Sequence, residues 1–244
     1  MRLRETSLAL AALLALAGNA RADGLACPRF TGEPLAAPAP REAAAPLRRF
    51  EEIKQRLAEH PYRAIFFGDS LTEHWDPEVW RETLGRRDVL NAGVSGDRTE
   101  HLLWRLDHGN LAGPPPKVAI VLIGTNDLGH GRPPGVAADG IRAVLLKLRE
   151  RLPDTRILLL GLWPRDAGPA DRLRRETVAV NRLIETCADK RHVFYADIGG
   201  PLLDYRGELS RAISPDMLHL SAAGYARIAP TLDRLLDPLL RMPR

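Results

Sequence analysis

Five short apolar runs punctuate the chain. Ala64-Ile65-Phe66-Phe67-Gly68 is the first, and Val89-Leu90-Asn91 is a shorter second. Val118 to Ile123 is the clearest, rich in β-branched residues and preceded by Pro114-Pro115-Pro116. Ile157 to Leu162 and His192 to Ala196 complete the set. Runs this compact predict strands buried on both faces. Between and around them, apolar residues recur at three- and four-residue spacing over 47–59, 99–107, 136–152, 173–189 and 222–240, which predicts helices. Alternating strand and helix predicts a parallel sheet with helices on both faces. In such sheets, sites form beyond the carboxyl ends of the strands.

The chain before the first helix divides in two. Arg2 and Arg4 precede an apolar stretch from Leu8 to Ala17, followed by Ala20-Arg21-Ala22. A basic start, a short apolar core and an A-x-A site read as a secretory signal over residues 1–22. The apolar core is too short for a stable membrane span, and nothing later is longer. No cysteine follows the cleavage site directly, so a lipid anchor is not supported. The expectation is a periplasmic or secreted protein without a stable membrane span after processing. Residues 23–46, with Pro34, Pro38, Pro40 and Pro46, read as an Ala/Pro-rich arm. Residues 47–244 form the predicted domain.

Composition narrows the class. With 244 residues, 45% hydrophobic and 27% charged, the chain is globular. The formal charge is +4, part of it on Arg2, Arg4 and Arg21. Most other arginines lie beside acids, as in Arg149-Glu150-Arg151, which reads as solvated helix faces and not as a nucleic-acid stripe. The two cysteines, Cys27 and Cys187, could pair in an oxidising compartment or be unrelated thiols, Cys187 being buried on a helix.

Candidate chemistry sits at the strand ends. Gly68-Asp69-Ser70-Leu71 follows the first strand, Asn91-Ala92-Gly93 ends the second, and Gly124-Thr125-Asn126-Asp127 follows the third. Asp216-Met217-Leu218-His219 lies close to the C-terminus. These supply a hydroxyl nucleophile, oxyanion donors and an Asp-His pair, the parts of an acyl-transfer site. Ser70 is the expected nucleophile, His219 its general base, and Asp216 the acceptor for the other imidazole N–H. The backbone N–H of Ser70 and of Gly93 and the Asn126 amide are the expected oxyanion donors. Each piece has a plainer reading: Ser70 as a helix cap with Glu73 closing a capping box, Asp216 and His219 as a surface pair capping the last helix, and Gly93 and Asn126 as turn residues. Those readings explain the residue types but not their convergence on one sheet edge. The spacing is not Gly-x-Ser-x-Gly, so the α/β-hydrolase elbow does not fit.

The four blocks resemble the SGNH hydrolases, the GDSL esterase/lipase superfamily. A closer resemblance, to the catalytic-subunit-like esterases of platelet-activating-factor acetylhydrolase, is carried by Asn91 to Leu106, Lys117 to Asp127, Gly161-Leu162-Trp163-Pro164-Arg165 and His219-Leu220-Ser221-Ala222-Ala223-Gly224-Tyr225. It covers roughly residues 47–240. It implies a flavodoxin-like three-layer α/β/α domain on a five-stranded parallel sheet. It also implies a serine esterase needing neither metal nor cofactor, with its hallmark residues on Ser70, Gly93, Asn126 and His219 and with Asp216 completing the triad. Asp69 would shape the nucleophile turn.

The expected function is a secreted esterase taking short acyl groups, with a small-molecule, glycan or lipid ester as substrate. Alternatives are a lysophospholipase or thioesterase taking longer chains, and a non-catalytic binding module on the same scaffold. A metalloenzyme is disfavoured: His101 and His108 lie seven apart on a predicted helix with no third ligand nearby, and there is no H-E-x-x-H. Sequence leaves the oligomeric state open.

Overall fold

The computed structural model describes Leu25 and residues 27–243; the expected signal segment, residues 1–22, lies outside them. Five strands, β1 (Ala64–Gly68), β2 (Val89–Gly93), β3 (Val118–Leu122), β4 (Arg156–Leu160) and β5 (Val193–Ala196), form one parallel sheet in the order β2-β1-β3-β4-β5. β1 and β3 are buried along their full length, as their unbroken apolar runs require.

Among the described residues, eight α-helices surround the sheet: α1 (Ala44–Glu59), α2 (Ser70–Glu73), α3 (Pro77–Glu82), α4 (Thr99–Asp107), α5 (Thr125–Gly129), α6 (Pro134–Arg151), α7 (Arg172–Glu185) and α8 (Ala222–Arg241). Helices cover both faces, the three-layer fold expected. α4 packs on α6 and α6 on α7, while α3 packs on α8. The long helices fall within a few residues of their expected bounds. The short α2, α3 and α5 carry no periodic signal in the sequence, because four to six residues are too few to display a helical period.

The Trp104 ring sits 5.1 Å from Phe50 of α1 and stacks on His108 at 4.2 Å, so it joins α4 to α1. Trp75 and Trp163 are core, in contact with each other and with Tyr225.

The arm, regular only from Ala44, is fastened to the domain. Cys27 and Cys187 are disulfide-bonded. Arg142 Nε donates to the Cys27 carbonyl at 2.8 Å. The Asp139 carboxylate of α6 accepts from Phe30 N, Thr31 N and Thr31 Oγ1 at 2.7–2.8 Å. Further along, Arg41 donates to the Gly96 carbonyl, on the loop between β2 and α4, at 3.0 Å.

Candidate active site

The site assembles at the carboxyl edge of the sheet. β1 ends in Gly68, and Asp69 caps α2 by accepting from Leu71 N at 2.9 Å. Ser70 is therefore the first helical residue and not the cap, and Glu73 closes no capping box. Gly68 answers to close packing: a Cβ there would lie 2.1 Å from Thr72 Oγ1 and 2.7 Å from the Leu122 carbonyl.

Ser70 Oγ lies 2.9 Å from His219 Nε2, and His219 Nδ1 lies 2.6 Å from Asp216 Oδ2. A carboxylate only accepts, so Nδ1 carries the ring proton and Nε2 is free to take one from Ser70. The Asp216–His219 segment is not helical. It is an irregular turn with Met217 at φ +64°, in which Asp216 Oδ1 accepts from Leu218 N at 3.0 Å and His219 N at 2.7 Å. Burial opposes the ionisation of Asp216, but the bonds from the His219 ring and from these two backbone N–H groups outweigh it, and its pKa is pulled down to about 2. Ser214 Oγ donates to the His219 carbonyl at 2.9 Å, and Tyr225 Oη, from α8, donates to the Leu71 carbonyl at 2.9 Å. The Tyr225–Leu71 bond thus ties the start of α8, just after His219, to the turn holding Ser70 across 154 residues.

The two remaining expected oxyanion donors stand differently. The Asn126 amide donates one hydrogen to the Asp97 carbonyl at 2.9 Å, which leaves its second N–H for another acceptor. The Gly93 N–H is engaged, donating to Asn91 Oδ1 at 3.1 Å. Gly93 itself backs directly on the nucleophile turn, where a Cβ would lie 2.2 Å from Glu73 N and 2.8 Å from the Asp69 carbonyl.

Beneath these groups lies a charged foundation that sequence reading did not pick out. Arg105, buried on α4, pairs with buried Asp97 at 2.7 Å and donates to the carbonyls of Gly68 and Ala92, the ends of β1 and β2. The available signal was its place beside the inward-facing Leu102 and Leu106, since an arginine buried there must be paired. Asp127 fixes α5 against α4, accepting from Thr99 N and Oγ1 and from Arg132. Arg165 holds the Thr125 carbonyl at 2.9 Å, one residue from Asn126. Asn181 bonds the Leu162 N–H and carbonyl, a structural duty. Among the described residues no group of three or more His, Cys, Asp or Glu side chains could hold a metal ion.

Asp69 is fully buried with one carboxylate oxygen unpartnered. Burial pushes its pKa up to about 7 against the Leu71 N–H bond, and nearby Asp97 and Asp127 push the same way. With the folded value above the unfolded one, Asp69 leaves stability untouched below about pH 4, where both states are protonated. It destabilises progressively as pH rises toward 7, and by a constant amount above. Asp69→Asn keeps an oxygen for Leu71 N–H. It should gain stability over the wild type between pH 4 and 7, reaching the order of a few kcal/mol. Tm measured against pH for both proteins checks this, and a pH-independent difference would contradict it.

The GDSL-like lipase/acylhydrolase family model matches residues 66–227, which span the nucleophile turn and the Asp-His segment. The chain belongs to this family. It is a carboxylic-ester hydrolase. Curated relatives include platelet-activating factor acetylhydrolase IB subunit alpha2 of Rattus norvegicus, 37% identical over 72% of this chain and 76% of the relative. Subunit alpha1 of Homo sapiens is likewise 37% identical, with the same coverage of each chain. Among solved structures, a GDSL-like lipase from Bacteroides thetaiotaomicron shares the fold at TM-score 0.65, with 16% identity, covering 78% of this chain and 97% of its own.

Proposed function

We propose that this hydrolase is an exported serine esterase taking short acyl groups, acetyl foremost, through an acyl-enzyme on Ser70. Ser70 Oγ attacks the ester carbonyl as His219 Nε2 takes its proton, and Asp216 stabilises the imidazolium. The oxyanion is held by the Ser70 N–H, the free N–H of the Asn126 amide and the Gly93 N–H, whose neutral partner Asn91 Oδ1 gives way to a charged acceptor. His219 then protonates the leaving alcohol. The same imidazole activates the water that releases the acyl group.

The observation that carries this reading is the unbroken Ser70–His219–Asp216 chain, at 2.9 and 2.6 Å. The preference for short chains draws on the acetylhydrolase relatives. Export is supported by the basic-apolar start of the chain and by the Cys27–Cys187 disulfide, a bond that persists in oxidising compartments. One experiment tests both: protein recovered from periplasm or medium is assayed on p-nitrophenyl esters from acetate to palmitate. Activity there, highest on acetate, is the expected result. Activity confined to the cytosol, or rising with chain length, would overturn the reading in favour of a longer-chain lysophospholipase or thioesterase.

A further inference from the structure

A second carboxylate–hydroxyl–imidazole chain lies beside the first. Glu73 ends α2, and its Oε2 accepts from both Ser95 N and Ser95 Oγ at 2.6 Å. Ser95 Oγ is in turn 3.0 Å from His74 Nε2. A serine hydroxyl has one proton, and here the carboxylate takes it, so the contact with His74 requires the imidazole to donate. His74 Nε2 therefore carries the ring hydrogen, and in the neutral ring Nδ1 is an acceptor. His74 is exposed, its ring centroid is 5.9 Å from that of His219, and among the described residues none of its hydrogen bonds uses Nδ1. The ring is not a loose surface side chain, since Ser95 and Glu73 fix both its orientation and its tautomer.

We propose that His74 Nδ1 accepts a hydrogen bond from the alcohol half of the substrate, and so selects esters whose alcohol carries a second hydroxyl beside the ester oxygen. This rests on the serine-esterase reading of Ser70 given above. The leaving oxygen takes its proton from His219 Nε2 and must therefore sit against that ring. A group one or two carbons further out lies within reach of the neighbouring imidazole. A hydroxyl there finds a preset acceptor, whereas a purely alkyl alcohol leaves that acceptor to water. One neutral hydrogen bond of about 0.7–1.4 kcal/mol amounts to about a threefold to tenfold preference.

The test compares two acetates of similar size, 2-hydroxyethyl acetate and n-propyl acetate. Each kcat/KM is divided by the rate of hydroxide-catalysed hydrolysis of the same ester, which removes the difference in leaving-group reactivity. The wild type is expected to favour the hydroxylated ester about threefold to tenfold. His74→Phe, which keeps the ring but removes both nitrogens, should bring the ratio to about one. Ser95→Ala, which frees the tautomer, should bring it part of the way. Both esters cleaved at a ratio near one by the wild type, or the same ratio in His74→Phe, would overturn the proposal while leaving Ser70 chemistry intact. Failure to cleave either ester or p-nitrophenyl acetate would instead overturn the esterase reading beneath it.

Discussion

Ser70→Ala is expected to lower kcat on p-nitrophenyl acetate by about 10⁴-fold or more, since members of a serine triad act as a unit and losing the nucleophile removes most of the catalysis. The fold has little reason to change. Asp69, not Ser70, caps α2, so the helix keeps its start. Among the described residues the Ser70 hydroxyl bonds His219 alone, whose side chain is 37% exposed and can turn to water instead. Tm should therefore move little while turnover collapses, and the burst of p-nitrophenol from acyl-enzyme formation should vanish with it. Stopped-flow and steady-state assays of both proteins on the same ester decide the matter. Equal rates in wild type and variant would remove Ser70 from the chemistry and leave the 2.9 Å contact with His219 a structural one.

Most of the scaffold was legible because its signals are long-range in character but local in sequence. A strand buried on both faces must be apolar throughout, and β1 and β3 are. A helix of four or five turns shows its stripe, as α6 and α8 do. The meeting of Ser70, His219 and Asp216 was legible for a different reason: they are the residue types that acyl transfer demands, Ser70 follows β1, and the loop before α8 brings His219 and Asp216 to it. What stayed hidden depends on partners distant in sequence. Nothing near Arg105 announces that it pins the ends of β1 and β2, and the Tyr225 bond to the Leu71 carbonyl spans 154 residues. The plainer reading of Ser70 as a helix cap misses by one position, because Asp69 and Ser70 are both good capping residues and only the backbone decides between them. The turn holding Asp216 and His219 has their three-residue spacing without helical geometry, since Met217 takes a positive φ.

Gly93 carries two explanations that the sequence alone cannot separate, and Gly93→Ala parts them. If Gly93 mattered only as an oxyanion donor, alanine would be harmless, for it keeps the N–H. Its φ is not positive, so backbone conformation raises no objection. The steric objection is severe: the new Cβ would meet Glu73 N at 2.2 Å, Asp69 O at 2.8 Å and Glu73 Cα at 2.8 Å. All three are backbone atoms, and none can swing aside as the tip of a side chain would. The nucleophile turn must move, and it carries Ser70 toward or away from His219 as it does. A displacement of about 1 Å in a reacting group can reduce turnover about 10²-fold, and overpacking typically destabilises by about 1–3 kcal/mol. Gly93→Ala is expected to show both losses together, read as kcat and as Tm. Gly200→Ala, where an added Cβ meets nothing within 4 Å, should show neither. A Gly93→Ala enzyme with wild-type kcat and Tm would mean that α2 and β2 are not packed backbone to backbone, and the glycine would then owe its place to turn propensity alone.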